Sequence, residues 1–293
     1  MDRWERYCKQ RGVHPLYSPV KDALNFLQEL LDDESVHRGF SAIGTARSAL
    51  SSVLIYPNGL KFGDIPEVKL FLKGVFNLRP VTPRYLTTWD PDVVLEFLKT
   101  WSPAKSLSLK QLSMKLVVLI LLVSGRRGQI LPELNVDNMV VDNTKYVFIF
   151  PAPKAKEGRP GYTVEPIKLK KFSPDRRLCV HHYLTIYLER TLLLRGAIRN
   201  VFVTSRKPYK VVSRDTFSRW VKTVLKKAGI DTSVFSAGST RAASTSKAFR
   251  LGAPLDDILK GGGWSRATTF SKWYKKDIMK KNQTIGDFVL GGQ

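Results

Sequence analysis

The sequence has few cysteines, no long apolar run and no apolar segment at its N-terminus. Its two cysteines, Cys8 and Cys179, form neither a disulfide framework nor a CxxC metal pattern, which favours a reducing, intracellular compartment. The longest apolar run, 116–123, has eight residues, whereas a membrane-spanning helix needs about 20. The polar N-terminus lacks the apolar core of a signal peptide. We therefore expect no membrane partner and an intracellular protein, located in the nucleus if the host is a eukaryote.

Several sequence signatures of nucleotide and metal chemistry are also missing. There is no GxxxxGK[ST], no GxGxxG after a strand, and no pair of carboxylates flanked by histidine. His181 and His182 are adjacent, so on a helix they point in different directions, and we interpret them as structural. We expect no cofactor and no metal. Phosphate chemistry in such a chain would have to use cations and hydrogen-bond donors.

Basic residues, in contrast, are abundant. Lys and Arg number 48 against 25 Asp and Glu, which gives a formal net charge of +23. This excess is larger than solubility requires and indicates a polyanionic partner, with nucleic acid as the leading candidate. The alternative is a basic but unspecific surface, as in many ribosomal proteins.

Apolar periodicity predicts a helical N-terminal domain over residues 1–78. Apolar residues recur at helical spacing in 21–32, 41–54 and 66–76. The helix over 41–54 carries a small, polar face that includes Arg47, and this face is able to approach a phosphate backbone closely. A solvated surface is an equally good interpretation of the same face.

The remaining chain predicts a linker over 79–89 and a second domain over 90–293. Asp90 and Pro91 form a helix start, and another helix runs from about Ser108 to Gly125. Short β-type segments follow near 139–150 and 163–169, and helices return at about 180–194, 215–229 and 235–249. No βα alternation or internal repeat occurs. The predicted fold class is therefore mainly α with a small antiparallel β-sheet.

Basic side chains stand at three positions where charge is unusual. Arg126 and Arg127 end the most apolar helix, so one of them must face inward, and a buried arginine needs an anion or many acceptors. Alternatively, an arginine at the C-terminus of a helix interacts favourably with the helix dipole, which explains one of the two arginines easily and both less well. Lys154 and Lys156 lie on a predicted β-turn, which alone is more often a solvated loop. Arg241 lies in FSAGSTRAASTSKAF, a stretch without any carboxylate.

The segment 261–276, GGGWSRATTFSKWYKK, contains a candidate nucleophile. Glycines permit a tight turn before Trp264, and a predicted helix then carries Tyr274. A phenol is a poor nucleophile until cations stabilise its oxyanion, and a pocket of arginines and a lysine would do so while also holding a phosphate. As an isolated feature, the pair Trp273–Tyr274 is more often part of a core.

Together these residues resemble the tyrosine recombinases, or phage-type integrases, which share their catalytic fold with type IB topoisomerases. The family pattern falls, in order, on Arg127 in SGRRGQIL, Lys156 in KAKEGRPG, Arg241 in GSTR, Trp264 in GGGWS and Tyr274 in KWY. STRAASTSKA, the RPG turn and WSRATTFSKWY are most similar to the recombinases of DIRS-type retroelements and related eukaryotic mobile elements. The likeness covers most of the chain, and the N-terminal helices resemble the core-binding domain of the family.

The resemblance implies site-specific DNA recombination or integration without metal or ATP, and a catalytic role for the domain over 90–293. Arg127 and Arg241 would clamp the scissile phosphate, with Trp264 packed against or hydrogen-bonded to one of its oxygens. Lys156 would protonate the leaving 5′ oxygen, and Tyr274 would form a 3′-phosphotyrosyl link. The implied partner is double-stranded DNA, clamped by the two domains and bound by a homotetramer on paired sites. Further candidate DNA-binding residues are Arg47, Arg84, Arg126, Lys154, Arg159 and Lys247.

One position departs from the family pattern. Where the family usually carries a histidine, three residues before Arg241, this chain has Gly238. The missing imidazole removes a phosphate donor but leaves the nucleophile and both arginines. This departure favours one rival function, a recombinase-derived DNA-binding protein with impaired or lost cleavage. A second rival, independent of Gly238, is a monomeric topoisomerase that nicks and reseals one duplex.

Overall fold

The computed structural model describes residues 2–36, 38–149 and 165–279 of the chain. These residues belong to two compact units, Met1–Arg84 and Tyr85–Gln293. The boundary between Arg84 and Tyr85 lies inside the segment 79–89, for which the sequence predicts a linker. Every helix within the described ranges is too short or too polar to span a bilayer.

The first unit is built from four α-helices. They are α1 (Asp2–Arg11), α2 (Val20–Asp32), α3 (Phe40–Val53) and α4 (Pro66–Leu78), with 3-10 turns at Pro57–Gly59 and Phe62–Asp64. Their apolar stripes meet in one core that includes Trp4, Phe26, Leu27, Ile43 and Phe62. The three helices that periodicity predicts in this part of the chain are confirmed to within two residues. The helix α1 was not predicted, because only Trp4, Tyr7 and Cys8 of its ten residues are buried.

In its described residues, the second unit is mainly helical, with two small sheets. Its helices are α5 (Pro91–Thr100), α6 (Leu109–Ser124), α7 (Val180–Thr191), α8 (Arg214–Lys227), α9 (Ser239–Arg250), α10 (Leu255–Gly262) and α11 (Ala267–Trp273). Among the described residues, its strands are β1 (Thr87–Thr88), β2 (Met139–Val141), β3 (Lys145–Phe148), β4 (Ile167–Lys170) and β5 (Asp277–Ile278). Short 3-10 turns lie at Ala104–Ser106, Gly128–Glu133, Val136–Asn138 and Arg176–Leu178.

The larger sheet is antiparallel in the order β2-β3-β4, with Val140 opposite Val147 and Tyr146 opposite Leu169. The fold class predicted from the sequence is thus confirmed. The smaller sheet, in which β1 and β5 pair in parallel, was not predicted. Each of its strands has two residues, which is too short to show alternation, and the pairing joins segments that are remote in sequence.

Helix α6 forms the centre of the second unit. Ser108 and Gln111 make a capping box at its start, and it packs against α7, α8 and α9. Because it is covered on these sides, its apolar residues extend around the helix rather than along one stripe. Lys115 lies fully buried within this helix and donates hydrogen bonds to the carbonyl oxygens of Leu98 (2.8 Å) and Trp101 (2.7 Å) at the end of α5.

Candidate active site

A cavity of about 320 Å³ lies in the second unit, where the ends of α6, α8, α9 and α11 meet. It includes four positions that the sequence analysis singled out, namely Arg127, Gly238, Arg241 and Tyr274. Among the described residues, the lining contains three arginines and no carboxylate: Leu121, Arg127, Gly128, Gln129, Leu131, Arg214, Phe217, Ser218, Val221, Ala237, Gly238, Arg241 and Tyr274. Such a cavity favours an anion.

The turn after α6 separates the two adjacent arginines. Gly125 ends the helix in the left-handed region, with φ of 62°, and a Cβ there would lie 2.9 Å from Cγ2 of Thr245. Both facts favour glycine at this position. Arg126 then turns inward, where its Nη2 donates to the carbonyl oxygen of Glu165 at 2.8 Å. Arg127 is exposed and lines the cavity. The prediction that one of the pair faces inward is confirmed.

Arg241 is held in the first turn of α9 and is 3% exposed. Its guanidinium carbon lies 3.8 Å from the centre of the Trp264 ring and 4.9 Å from the centre of the Tyr274 ring. Contacts of a cation with aromatic faces are worth about 0.5–2 kcal/mol each. Because a guanidinium does not lose its proton, Arg241 brings a permanent positive charge to the wall of the cavity.

Trp264 is positioned by a close approach to the backbone. The ring packs against Phe270, with centroids 5.4 Å apart, and against Tyr274 at 4.7 Å. A Cβ on Gly262 would lie 2.1 Å from the indole, so this ring position requires a glycine at the end of α10. Among the described residues, the buried Nε1 of Trp264 has no hydrogen-bond partner. The indole N–H is therefore a donor that the described part of the protein leaves unused.

The backbone around Tyr274 is fixed on both sides. The hydroxyl of Ser246, on α9, donates to the carbonyl oxygen of Tyr274 at 2.7 Å and accepts from the backbone N–H of Lys276 at 3.0 Å. Three residues further on, the N–H of Met279 donates to the carbonyl oxygen of Thr88 at 2.8 Å, next to the β1–β5 pairing. The phenol is thus presented to the cavity by a segment tied to the helix that carries Arg241.

Gly238 precedes α9 with ordinary helical angles, φ of −70° and ψ of −16°. A Cβ at this position would meet only Oγ of Ser236, at 3.7 Å. The neighbouring backbone is anchored, since Tyr85 bonds Ser236 through its hydroxyl at 2.9 Å and the indole of Trp89 donates to Ser239 at 2.8 Å. A Cβ at position 238 would therefore fit without a clash.

Four further predicted site residues either lie outside the described part of the chain or have contacts elsewhere. Lys154, Lys156 and Arg159 lie outside the described residues. Lys247 on α9 forms an ion pair with Asp92 and lies 4.0 Å from Asp90. The ammonium of Lys247 thus lies near two carboxylates of the protein itself. The DNA contact that the sequence suggests for Lys247 stays a prediction.

The last three predicted DNA-binding residues differ in exposure. Arg47 is half-buried on α3, and a Cβ on Gly63 would lie 2.4 Å from its Nη1. Arg84 is exposed. Arg126 is buried by the contact with Glu165 described above. The DNA contacts of all three stay predictions.

The sequence analysis missed two residues of the site. Arg214, the first residue of α8, lines the cavity, but basic residues are so frequent in this chain that nothing in the sequence distinguishes it. Ser246 was missed because its role depends on a contact between α9 and the segment after α11. Helical phase gives no information about such a contact.

Comparison with models of known protein families gives no match. No curated protein matches the chain either. Solved structures do match. The XerH site-specific recombinase bound to palindromic difH substrate has a TM-score of 0.56 and 14% identity, over 85% of this chain and 67% of that chain. This chain therefore spans about two thirds of the length of XerH.

Two integrases are similar over nearly the whole of this chain. A lambda integrase dimer bound to a COC′ core site gives a TM-score of 0.54 and 16% identity, over 96% of this chain and 73% of that chain. The Tn1549 transposon integrase in complex with circular intermediate DNA gives 0.53 and 14%, over 100% of this chain and 91% of that one. The chain has the fold of these proteins, which is the tyrosine recombinase fold that the resemblance implies.

Proposed function

We propose that this chain cuts and rejoins double-stranded DNA through a covalent link between Tyr274 and a 3′ phosphate. One observation carries the proposal: the ring of Tyr274 lies beside the guanidinium of Arg241, at a cavity that Arg127 also lines and whose described lining residues include no carboxylate. A phenol at a cavity lined by arginines is suited to attack a phosphodiester, because the same cations stabilise the phenolate and the phosphate oxygens.

The chemistry is a transesterification. The phenol oxygen of Tyr274 loses its proton and bonds to phosphorus, while the bond from phosphorus to the 5′ oxygen breaks and that oxygen gains a proton. One phosphodiester is exchanged for another, so the reverse step reseals a strand without an external energy source. Arg127 and Arg241 stabilise the charge on the non-bridging oxygens, and the indole N–H of Trp264 adds a donor. Lys156 has the role of general acid that the resemblance implies.

The proposal extends to the biological setting. The neighbouring structures are recombinases and integrases, and this chain shares their fold, which favours exchange of strands between two duplexes. A homotetramer on paired sites follows from the resemblance to the tyrosine recombinases, and integration of a mobile element follows from the motif resemblance to DIRS-type recombinases. If the host is a eukaryote, the protein acts in the nucleus.

A covalent-capture assay tests the central step. The full chain is incubated with a pool of nicked duplexes that carry randomised sequence, and protein–DNA adducts that survive detergent are selected and sequenced. We expect adducts from the wild type and none from Tyr274→Phe. Tyr209→Phe, which removes a hydroxyl outside the cavity, is the matched control and should form adducts at the wild-type rate. Adducts that persist in Tyr274→Phe would refute the assignment of the nucleophile.

The same assay separates the rival functions. Tight binding of the pool without any adduct would support a DNA-binding protein that no longer cleaves, as the absence of the usual histidine at Gly238 suggests. If adducts form, the selected sequence is placed on two duplexes and on a supercoiled circle. Exchange of strands between duplexes supports a recombinase, whereas relaxation of the circle without exchange supports a topoisomerase.

A further inference from the structure

The stripe of α8 that faces the candidate active site begins with a charged residue. Arg214, Phe217, Ser218 and Val221 all line the cavity, and their spacing puts them on one face of the helix. Phe217 and Val221 are buried and anchor this face against the core. Arg214, one turn before Phe217, is therefore directed toward the mouth of the cavity by the packing of its own helix.

Arg214 has no hydrogen bond or ion pair with the described residues. Arg219, on the same helix but off the stripe, does have a partner, because its Nη2 donates to Oγ1 of Thr216 at 2.9 Å. Ordering a long arginine side chain costs rotamer entropy, and a guanidinium offers five N–H donors in a planar fork that fits phosphate. The donors of Arg214 are thus free for a ligand at the cavity.

The cavity has both the charge and the space for such a ligand. Arg127, Arg214 and Arg241 contribute three positive charges, and the described residues of the lining include no carboxylate. Gly238 leaves the neighbouring wall without a side chain, and a Cβ there would touch only Ser236. A phosphodiester in the cavity would therefore have open space at Gly238, where the family's imidazole donor is missing. Arg214 offers it a third guanidinium at the same cavity.

We propose that Arg214 is a third phosphate-binding arginine, which supplies the donor that Gly238 cannot. This inference rests on the proposed function, and it names the group that completes the binding of the scissile phosphate. Arg214 donates hydrogen bonds to a non-bridging oxygen and stabilises the charge that develops there. Because a guanidinium does not titrate in the accessible pH range, it provides charge and hydrogen bonds but no proton transfer.

The test measures adduct formation on the nicked duplex that covalent capture selects. We expect Arg214→Ala to lower the rate about 10²-fold, the typical loss for one oxyanion donor. Arg214→Lys keeps the charge without the planar fork and should lose about 10-fold. Arg219→Ala, on the same helix, is the matched control and should stay within about twofold of the wild type. An Arg214→Ala rate equal to that of Arg219→Ala would overturn the inference.

Two further measurements exclude a structural effect. On a duplex whose scissile phosphate is replaced by a methylphosphonate, one charge is absent, so the loss caused by Arg214→Ala should shrink to a few-fold. Adding Gly238→His to Arg214→Ala should restore most of the rate and introduce a pH dependence near the imidazole value of about 6.5. An equal loss on both substrates, or no recovery by histidine, would contradict a direct contact with phosphate.

Failure of the proposed function can be distinguished from failure of the inference about Arg214. If the wild type forms no adduct, the proposed function fails. Binding of a random-sequence duplex then tests whether Arg214 contacts phosphate. A phosphate contact contributes about one counterion to the salt dependence, so Arg214→Ala should lower the slope of log K against log salt by about one. An unchanged slope, equal to that of Arg219→Ala, would overturn the inference on its own.

Discussion

Three consecutive glycines, Gly261, Gly262 and Gly263, lie at the end of α10. The surroundings of each glycine differ, so replacement by alanine should affect the protein differently at each position. Gly263 has φ of 68° and caps the helix in the left-handed region. A Cβ on Gly261 would have only the carbonyl oxygen of Ser124 nearby, at 3.8 Å, which is an ordinary contact. A Cβ on Gly262 would lie 2.1, 2.3 and 2.9 Å from three carbons of the Trp264 ring. The change Gly262→Ala therefore tests whether the indole position matters for the chemistry.

The size of the effect follows from these distances. A carbon at 2.1 Å has to retreat by about 1.3 Å to reach the 3.4 Å of an ordinary contact. The ring cannot keep its place over Arg241, at 3.8 Å, while it does so. Overpacking of this kind costs about 1–3 kcal/mol of stability, and a misplacement of about 1 Å costs a catalytic site about 10²-fold in rate.

The assay compares Gly262→Ala with Gly261→Ala by adduct formation on the selected nicked duplex and by thermal unfolding. We expect Gly262→Ala to form adducts about 10²-fold more slowly and to unfold at a lower temperature. Gly261→Ala should keep the rate and gain up to about 1 kcal/mol, because alanine favours helix over glycine. If Gly262→Ala forms adducts as fast as Gly261→Ala does, the indole position is irrelevant to catalysis and the reasoning fails.

Two further predictions concern the support of the site and the core. Ser246→Ala removes the two hydrogen bonds that hold the segment of Tyr274 against α9, so adduct formation should slow by about 10-fold or more with unchanged DNA affinity. Ser244→Ala, whose hydroxyl bonds only its own helix, is its control, and equal rates would contradict the predicted role. Burial lowers the pKa of Lys115 from 10.5 to about 7. Between about pH 7 and pH 10.5, Lys115 is therefore mostly protonated in the unfolded chain and mostly neutral in the folded protein. The free energy of unfolding should then rise with pH from about 7 to 10.5, by up to about 1.4 kcal/mol per pH unit, and denaturant titrations of Lys115→Met should show this slope reduced; an identical slope would refute the assignment.

Helix starts and stops were predictable because their signals are local. Asp90 accepts a hydrogen bond from the N–H of Asp92 at the start of α5, as the Asp-Pro pair predicts. Gly125 ends α6 where the sequence places the stop. The buried Lys115 was not predicted, since its two acceptors are carbonyl oxygens exposed at the end of another helix.

The order of the candidate site residues was readable in the sequence, but their contacts were not. The acid-free stretch around Arg241 predicted an arginine that binds a phosphate. Its stacking on Trp264 depends on the close approach of the indole to Gly262, which only the packed chain reveals. The same limit applies to Ser246, whose two partners lie 28 and 30 residues away along the chain.

The sequence by itself determined the helical architecture, the strong positive charge and the order of the candidate catalytic residues, because these depend on residue type and short-range periodicity. Tertiary structure decided which cations share a cavity. It turned Arg126 inward and left Arg127 at the cavity, and it brought Arg214 to the same cavity. Such choices depend on distances between side chains that are far apart in the chain. Only the packing of α6, α8, α9 and α11 fixes those distances.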